Sequence, residues 1–120
     1  MSFPRATRDL LDRTREVDIE TRSPKGTRHR VPIWVVVDGE DVFVRTYRGK
    51  TSRWYRELLA TQGALLVNGK RYPVKASRAD DPDSIRRTSA GYRRKYARSG
   101  SLDAMLRRPV LPTTLRLEPA

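Results

Sequence analysis

"VPIWVVVDGEDVFVRTY", residues Val31–Tyr47, decides how this chain is read. Its first half, Val31 to Val37, is apolar on both faces, which predicts a strand lying centrally in a sheet. Asp38-Gly39 is a hairpin signal, because Gly accepts the positive φ such turns require. The second half, Asp41 to Tyr47, is then the antiparallel partner, with Val42, Val44 and Thr46 on one face and Phe43, Arg45 and Tyr47 on the other. Pro32 has no N–H to give to a ladder, so it implies a bulge or an unpaired position.

Upstream, a short helix is predicted around Ala6 to Thr14. Val17 and Ile19 alternate with charged residues as in a half-buried strand. Ser23-Pro24-Lys25-Gly26 is a turn, and Thr27 to Val37 reads as the next strand. Downstream, Arg53 to Thr61 is a short helix with Trp54, Tyr55, Leu58 and Leu59 on one stripe. Gly63–Val67, Asn68-Gly69 and Arg71–Ala76 form a second hairpin. Asp81-Pro82 opens a longer helix to about Arg98, with Ile85, Ser89, Tyr92 and Tyr96 on one face. Ser101 to Leu106 is one more helical turn, and Pro112 to Leu117 a closing strand. Two hairpins split by a short helix, with no βαβ alternation, predict an α+β chain. It is mainly β: a small antiparallel barrel with two or three helices at its edge. A chain of 120 residues suits one domain, with residues 1–15 as an N-terminal helical extension.

The formal charge is +12, carried by 21 Arg and 5 Lys against 14 acidic residues. Such a surface attracts polyanions, and arginine also grips single phosphates through its planar fork. There is no cysteine, which excludes disulfides and thiolate chemistry. His29 is the one histidine; with no ligand cluster and no nucleophile elbow, neither a metal site nor a Ser-His-Asp hydrolase is expected. No stretch approaches the roughly 20 apolar residues of a membrane span, and Met1 to Leu11 lacks a signal-peptide core, so the expected location is the cytoplasm.

After the hairpin, Gly49-Lys50-Thr51-Ser52 resembles the tail of a phosphate-binding P-loop. The glycine required five positions earlier is replaced by Val44, inside a strand, so a nucleotide-hydrolysing loop is not expected. What survives is a helix start with two hydroxyls and basic residues at 45, 48, 50 and 53, which suits an anion. The plainer account is that Thr51 or Ser52 caps the helix. Trp34 and Trp54 are, on their own, core residues. Arg93-Arg94-Lys95 reads as a solvated helix face, or as a nucleic-acid contact.

"RVPIWVVVDGEDVFVRTYRGKTSRWYRELLA" followed by "ALLVNGKRYPVKA" resembles the flavin-binding split β-barrel superfamily. That superfamily includes pyridoxamine-phosphate-oxidase-like proteins and deazaflavin-dependent nitroreductases; the nearest likeness is to a small bacterial family within it. The resemblance implies a homodimer with FMN or a deazaflavin at the interface, and a reductase or other oxidoreductase activity. It implies that Arg30, Arg45, Thr46, Lys50, Ser52 and Arg53 hold the cofactor phosphate. Pro32, Trp34 and Tyr47 would then face the ring, with Arg48, Gly49 and Trp54 completing the site. Two other readings stand beside it: a basic nucleic-acid-binding module, and a dimeric split barrel without cofactor that serves as an interaction protein.

Overall fold

The computed structural model describes residues 2–120. Seven strands form one antiparallel sheet: β1 (Val17–Arg22), β2 (Arg28–Ile33), β3 (Val35–Asp38), β4 (Asp41–Val44), β5 (Gly63–Val67), β6 (Lys70–Arg78) and β7 (Leu115–Pro119). Their order across the sheet is β2-β1-β5-β6-β7-β4-β3. The two edge strands are therefore consecutive in the chain, with only Trp34 between them. A sheet whose opposite edges are one residue apart must curl on itself, and the result is a split antiparallel barrel. Among the described residues the helices are α1 (Arg5–Arg13), α2 (Arg53–Ala60), α3 (Pro82–Lys95), α4 (Leu102–Leu106) and a 3₁₀ segment at Arg108–Thr113. The four α-helices fall where the sequence predicts helical segments, and the 3₁₀ segment runs into the start of the expected closing strand.

The continuous strand expected over Thr27–Val37 is in fact two strands at opposite edges. β2 pairs with β1 (Val17 opposite Ile33) and β3 pairs with β4 (Val35 opposite Val44). The central position expected for this run is thus overturned. Its apolar character has another cause: β3 is buried on both faces, by the barrel interior on one side and by α3 on the other. Val35 and Val37 belong to the interior cluster with Ile19, Leu65, Val74 and Leu117. Val36 belongs to a second cluster with Phe43, Tyr92, Tyr96 and Met105. Pro32 needs no bulge. It sits opposite Asp18 in an edge strand, where a missing donor is tolerated.

Helix α2 closes one mouth of the barrel. Tyr55 and Leu58 enter the interior cluster, while Trp54 and Leu59 flank it. Burying a side chain such as Leu58, fully enclosed here, stabilises by about 1.5–3 kcal/mol. The buried Glu57 carboxylate accepts from Thr21 Oγ1 at 2.7 Å and contacts His29 Nδ1 at 3.1 Å, fixing α2 against β1 and β2. Helix α3 starts as predicted, with the Asp81 side chain accepting from the Ser84 N–H at 3.0 Å and Pro82 in the first turn.

Of the basic residues of α3, Arg86, Arg93 and Arg94 are exposed, as expected of a solvated face, but several also reach the neighbouring strand edge. Lys95 Nζ donates to Leu11 O (2.8 Å) and Val35 O (2.6 Å). Arg94 donates to Val37 O (3.1 Å), Arg87 to Asp38 O (3.1 Å), and the Tyr92 hydroxyl to Trp34 O (2.9 Å). Apart from Leu11 O, which belongs to α1, these are carbonyls of the edge strand β3 and of the bend before it. An open edge would otherwise invite another strand; here one helix supplies its donors from side chains.

Candidate functional site

The strand after the hairpin ends at Val44 rather than running to Tyr47. The chain then turns: the Gly49 N–H donates to Thr46 O and the Ser52 N–H to Gly49 O, each at 3.1 Å. Gly49 holds φ +82, the left-handed region that favours glycine. This turn delivers residues 46–54 to the outer side of β2, and a groove opens between them.

The groove has two connected lobes. One, of about 400 Å³, is lined by Pro32, Ile33, Trp34, Arg45, Thr46, Tyr47 and Trp54, with Glu16 at its side and Ser101, Ala104 and Met105 forming the far wall. The other, of about 600 Å³, is lined by Val31, Pro32, Thr46, Tyr47, Arg48, Thr51, Ser52, Arg53 and Trp54. Pro32, Thr46, Tyr47 and Trp54 are common to both. Volumes of this size suit a cofactor or a substrate of similar bulk.

In the second lobe α2 begins without a cap. Among the described residues neither Ser52 nor any other side chain bonds its first N–H groups, and the first backbone bond is Arg56 N to Ser52 O at 3.2 Å. The capping role expected for Thr51 or Ser52 is therefore overturned. Ser52 is 7% exposed, lines the groove, and its hydroxyl makes no hydrogen bond among the described residues. Unpaired helix N–H groups, the positive end of the helix dipole, the Ser52 hydroxyl and the Arg48 and Arg53 guanidiniums thus face one space. Arg48 also donates to the Tyr47 hydroxyl at 3.2 Å and lies 5.6 Å from its ring centroid. Tyr47 is the one exposed large hydrophobic among the described residues.

The first lobe is aromatic and rigid. Trp34 is half-buried and stacks on Tyr96, with centroids 4.0 Å apart and planes at 4°. Its carbonyl accepts from the Tyr92 hydroxyl, which also accepts the Arg45 N–H at 3.1 Å. One hydroxyl thereby stitches the bend between the sheet edges to the end of β4. Burial raises the pKa of this hydroxyl, so it stays a donor across the physiological range. The Arg45 side chain is fully enclosed behind the lobe. Its Nε donates to Thr114 Oγ1 at 2.8 Å, and its two terminal nitrogens to Met105 O at 3.0 Å and Ile85 O at 2.9 Å. Burial, its main perturbation, lowers the pKa from 12.5 to about 10, leaving it charged at neutral pH.

Of the residues the sequence nominated, Pro32, Trp34, Arg45, Thr46, Tyr47, Arg48, Ser52, Arg53 and Trp54 line the groove. Arg30, Gly49 and Lys50 do not. Arg30 lies two residues from Pro32 on the same outward face of β2, opposite Glu20. Lys50 is exposed at the loop tip. Residues missed were Glu16 and Val31, and the wall formed by Ser101, Ala104 and Met105. The register of Val17 with Ile33 puts Glu16 beside Trp34, which the β1–β2 turn signal would have allowed. Nothing local in α4 points to the groove.

A family model described as "Uncharacterized protein conserved in bacteria (DUF2255)" matches residues 9–117. Among curated proteins no sequence matches. Three solved structures share the fold over nearly their whole length. A protein assigned as pyridoxamine 5'-phosphate oxidase from Listeria innocua is 13% identical, with a TM-score of 0.67, covering 95% of this chain and 90% of that one. HutZ, the heme storage protein from Vibrio cholerae, is 14% identical, with a TM-score of 0.64, covering 100% and 92%. An FAD binding protein from Mycobacterium smegmatis is 16% identical, with a TM-score of 0.59, covering 100% and 92%. Against two other matched structures the chain spans about half their length, 51% and 55%. At these identities the likeness is one of fold.

Proposed function

We propose that this chain, which belongs to the DUF2255 family, binds a phosphorylated flavin-type cofactor, FMN or a deazaflavin, in the two-lobed groove. The observation that carries this reading is the uncapped start of α2, with the unpartnered Ser52 hydroxyl, opening into a cationic lobe that adjoins an aromatic one. The cationic lobe takes the phosphate: Arg53, Arg48, Ser52 and the α2 N–H groups supply donors and charge. The aromatic lobe takes the ring between Pro32, Trp34 and Tyr47. Similar folds named for FAD binding and pyridoxamine phosphate oxidation support the assignment. Heme, named for another of them, fits less well. His29 is engaged with Glu57 and does not line the groove, so heme iron would find no imidazole there.

When bound, such a cofactor supplies hydride chemistry, and we assign the chain to the reductases on that ground. Its own residues bind the phosphate, orient the ring and shield one face of it from water. The nucleic-acid alternative is less favoured, because Arg87 and Lys95 of α3 are engaged by β3, which leaves Arg86, Arg93 and Arg94 as the exposed cations of that helix.

Titration of the purified protein with FMN, a deazaflavin and riboflavin, followed by flavin fluorescence, tests the reading. Saturable binding of a phosphorylated ring is expected, with riboflavin weaker by at least about tenfold for loss of charge-assisted bonds. Absence of saturable binding by any of the three would end the proposal.

A further inference from the structure

We propose that Arg45 is a fixed positive charge behind the aromatic lobe, and that it makes this lobe prefer an anionic ring to a neutral one; the inference rests on the ring placement proposed above. Arg45 sits in the wall of the lobe but is almost wholly enclosed, with 0% relative exposure, so its main effect on a ligand there is through its field. All its acceptors are neutral: a hydroxyl on Thr114 and the backbone carbonyls of Met105 and Ile85. Among the described residues no carboxylate lies within ion-pair distance of it. The contrast with Arg87 is direct. That half-buried arginine of α3 is flanked by two carboxylates, with Asp41 Oδ2 at 2.9 Å from one terminal nitrogen and Asp38 against its Nε.

A buried charge without a counter-charge is costly to the fold. Three of the five N–H groups of Arg45 are engaged, and one hydrogen on each terminal nitrogen is left over. Enclosed by protein in the lobe wall, Arg45 is screened less by water than Arg48 or Arg53 at the solvent rim. Glu16, the carboxylate on the lobe's side, is exposed and its opposing field is the more screened.

The test uses the full chain loaded with FMN and reduced by dithionite against a reference dye. Two electrons from dithionite and one proton from solvent leave the bound ring one negative charge richer, so a fixed cation favours the reduced form. Arg45→Met keeps the stem without the charge, and Arg45→Lys keeps the charge with fewer donors. Arg45→Lys is expected to hold the wild-type midpoint. Arg45→Met is expected to lose about tenfold in preference for the reduced ring, about 30 mV for a two-electron couple. Thr114→Asp, which sets a carboxylate against the guanidinium, is expected to fall likewise, and covers the case in which Arg45→Met does not fold. An unchanged midpoint in either neutralised variant, or an equal fall in Arg45→Lys and Arg45→Met, overturns the inference. If the wild-type chain takes up no FMN, the function proposed above fails. The inference is then read from anilinonaphthalene sulfonate against uncharged phenylnaphthylamine. A preference for the sulfonate that drops about tenfold in the neutralised variants supports it, and an unchanged preference overturns it.

Discussion

Arg53 and Arg45 show how much the surroundings of one side chain decide. Arg53 is exposed on the first turn of α2 beside unpaired N–H groups, where a ligand phosphate could be held by a charge-assisted bond. Removing one such bond costs about 1.5–3 kcal/mol. Arg53→Ala is therefore expected to weaken FMN binding by about tenfold or more while leaving riboflavin binding within about twofold. Equal losses for both ligands in a calorimetric titration would take Arg53 out of the phosphate site. Gly91 is decisive for packing. A Cβ there would lie 3.0 Å from Val36 Cβ, where α3 crosses β3. Because the neighbour is a branched side chain close to its backbone, it cannot swing aside. Gly91→Ala is expected to destabilise by about 1–3 kcal/mol in urea unfolding, even though Ala is the better helix former. A variant as stable as wild type would mean that α3 can shift away freely.

At the scale of an element, α3 does two jobs with one sequence. Its apolar side, Tyr92 and Tyr96 with Ser89, packs on Val36 and Phe43. Its polar side reaches around the edge of β3 with Arg87, Arg94 and Lys95. Burial of the Lys95 ammonium lowers its pKa from 10.5 to about 8, against the Asp12 carboxylate, which favours the charge; Arg94 adds to the lowering. Between those values the unfolded chain binds the proton that the folded chain has released, so stability rises with pH across that window. Below about pH 8 both states hold the proton and the slope vanishes. Unfolding by urea from pH 7 to 10 should show this rise in wild type and a smaller one in Lys95→Met. Parallel profiles would show that Lys95 titrates as a free lysine does.

At the scale of the whole molecule, no helix among the described residues covers the outside of one half of the sheet. On the outside of β2, β1, β5 and β6, the paired positions carry Pro32 and Asp18, Arg30 and Glu20, Ala64 and Pro73, and Leu66 and Arg71. We propose that the homodimer implied by the split-barrel resemblance forms through the exposed part of this face, which borders the groove at Pro32. Sedimentation equilibrium is expected to give a dimer, and Leu66→Arg, which adds a further charge beside its cross-strand neighbour Arg71 on this face, is expected to give a monomer. A wild-type monomer at micromolar concentration removes the homodimer from the proposal. The net charge of +12 opposes such association at low salt, so added salt should strengthen the dimer rather than weaken it. No helix among the described residues is long and apolar enough to cross a membrane.

Much was written in short-range patterns. Asn68-Gly69 fixed one hairpin, with both residues at positive φ, and Asp38-Gly39 another. The stripe through Tyr55 and Leu58 gave the plug helix, and the Asp81 cap gave the start of α3. These depend on contacts within a few residues, which is why they could be read along the chain. Tertiary structure alone decided three other matters. It broke the apolar run at Trp34, because closing the barrel requires the chain to leave one sheet edge and join the other. It turned Arg45 inward while leaving Arg53 out, a choice set by Tyr92, Met105 and Thr114, which lie 47 to 69 residues away along the chain. It also brought α4 across to wall the groove. Side-chain type and spacing determine which segments form and which faces are apolar; which face meets which partner depends on closure over long loops, and no local pattern encodes that.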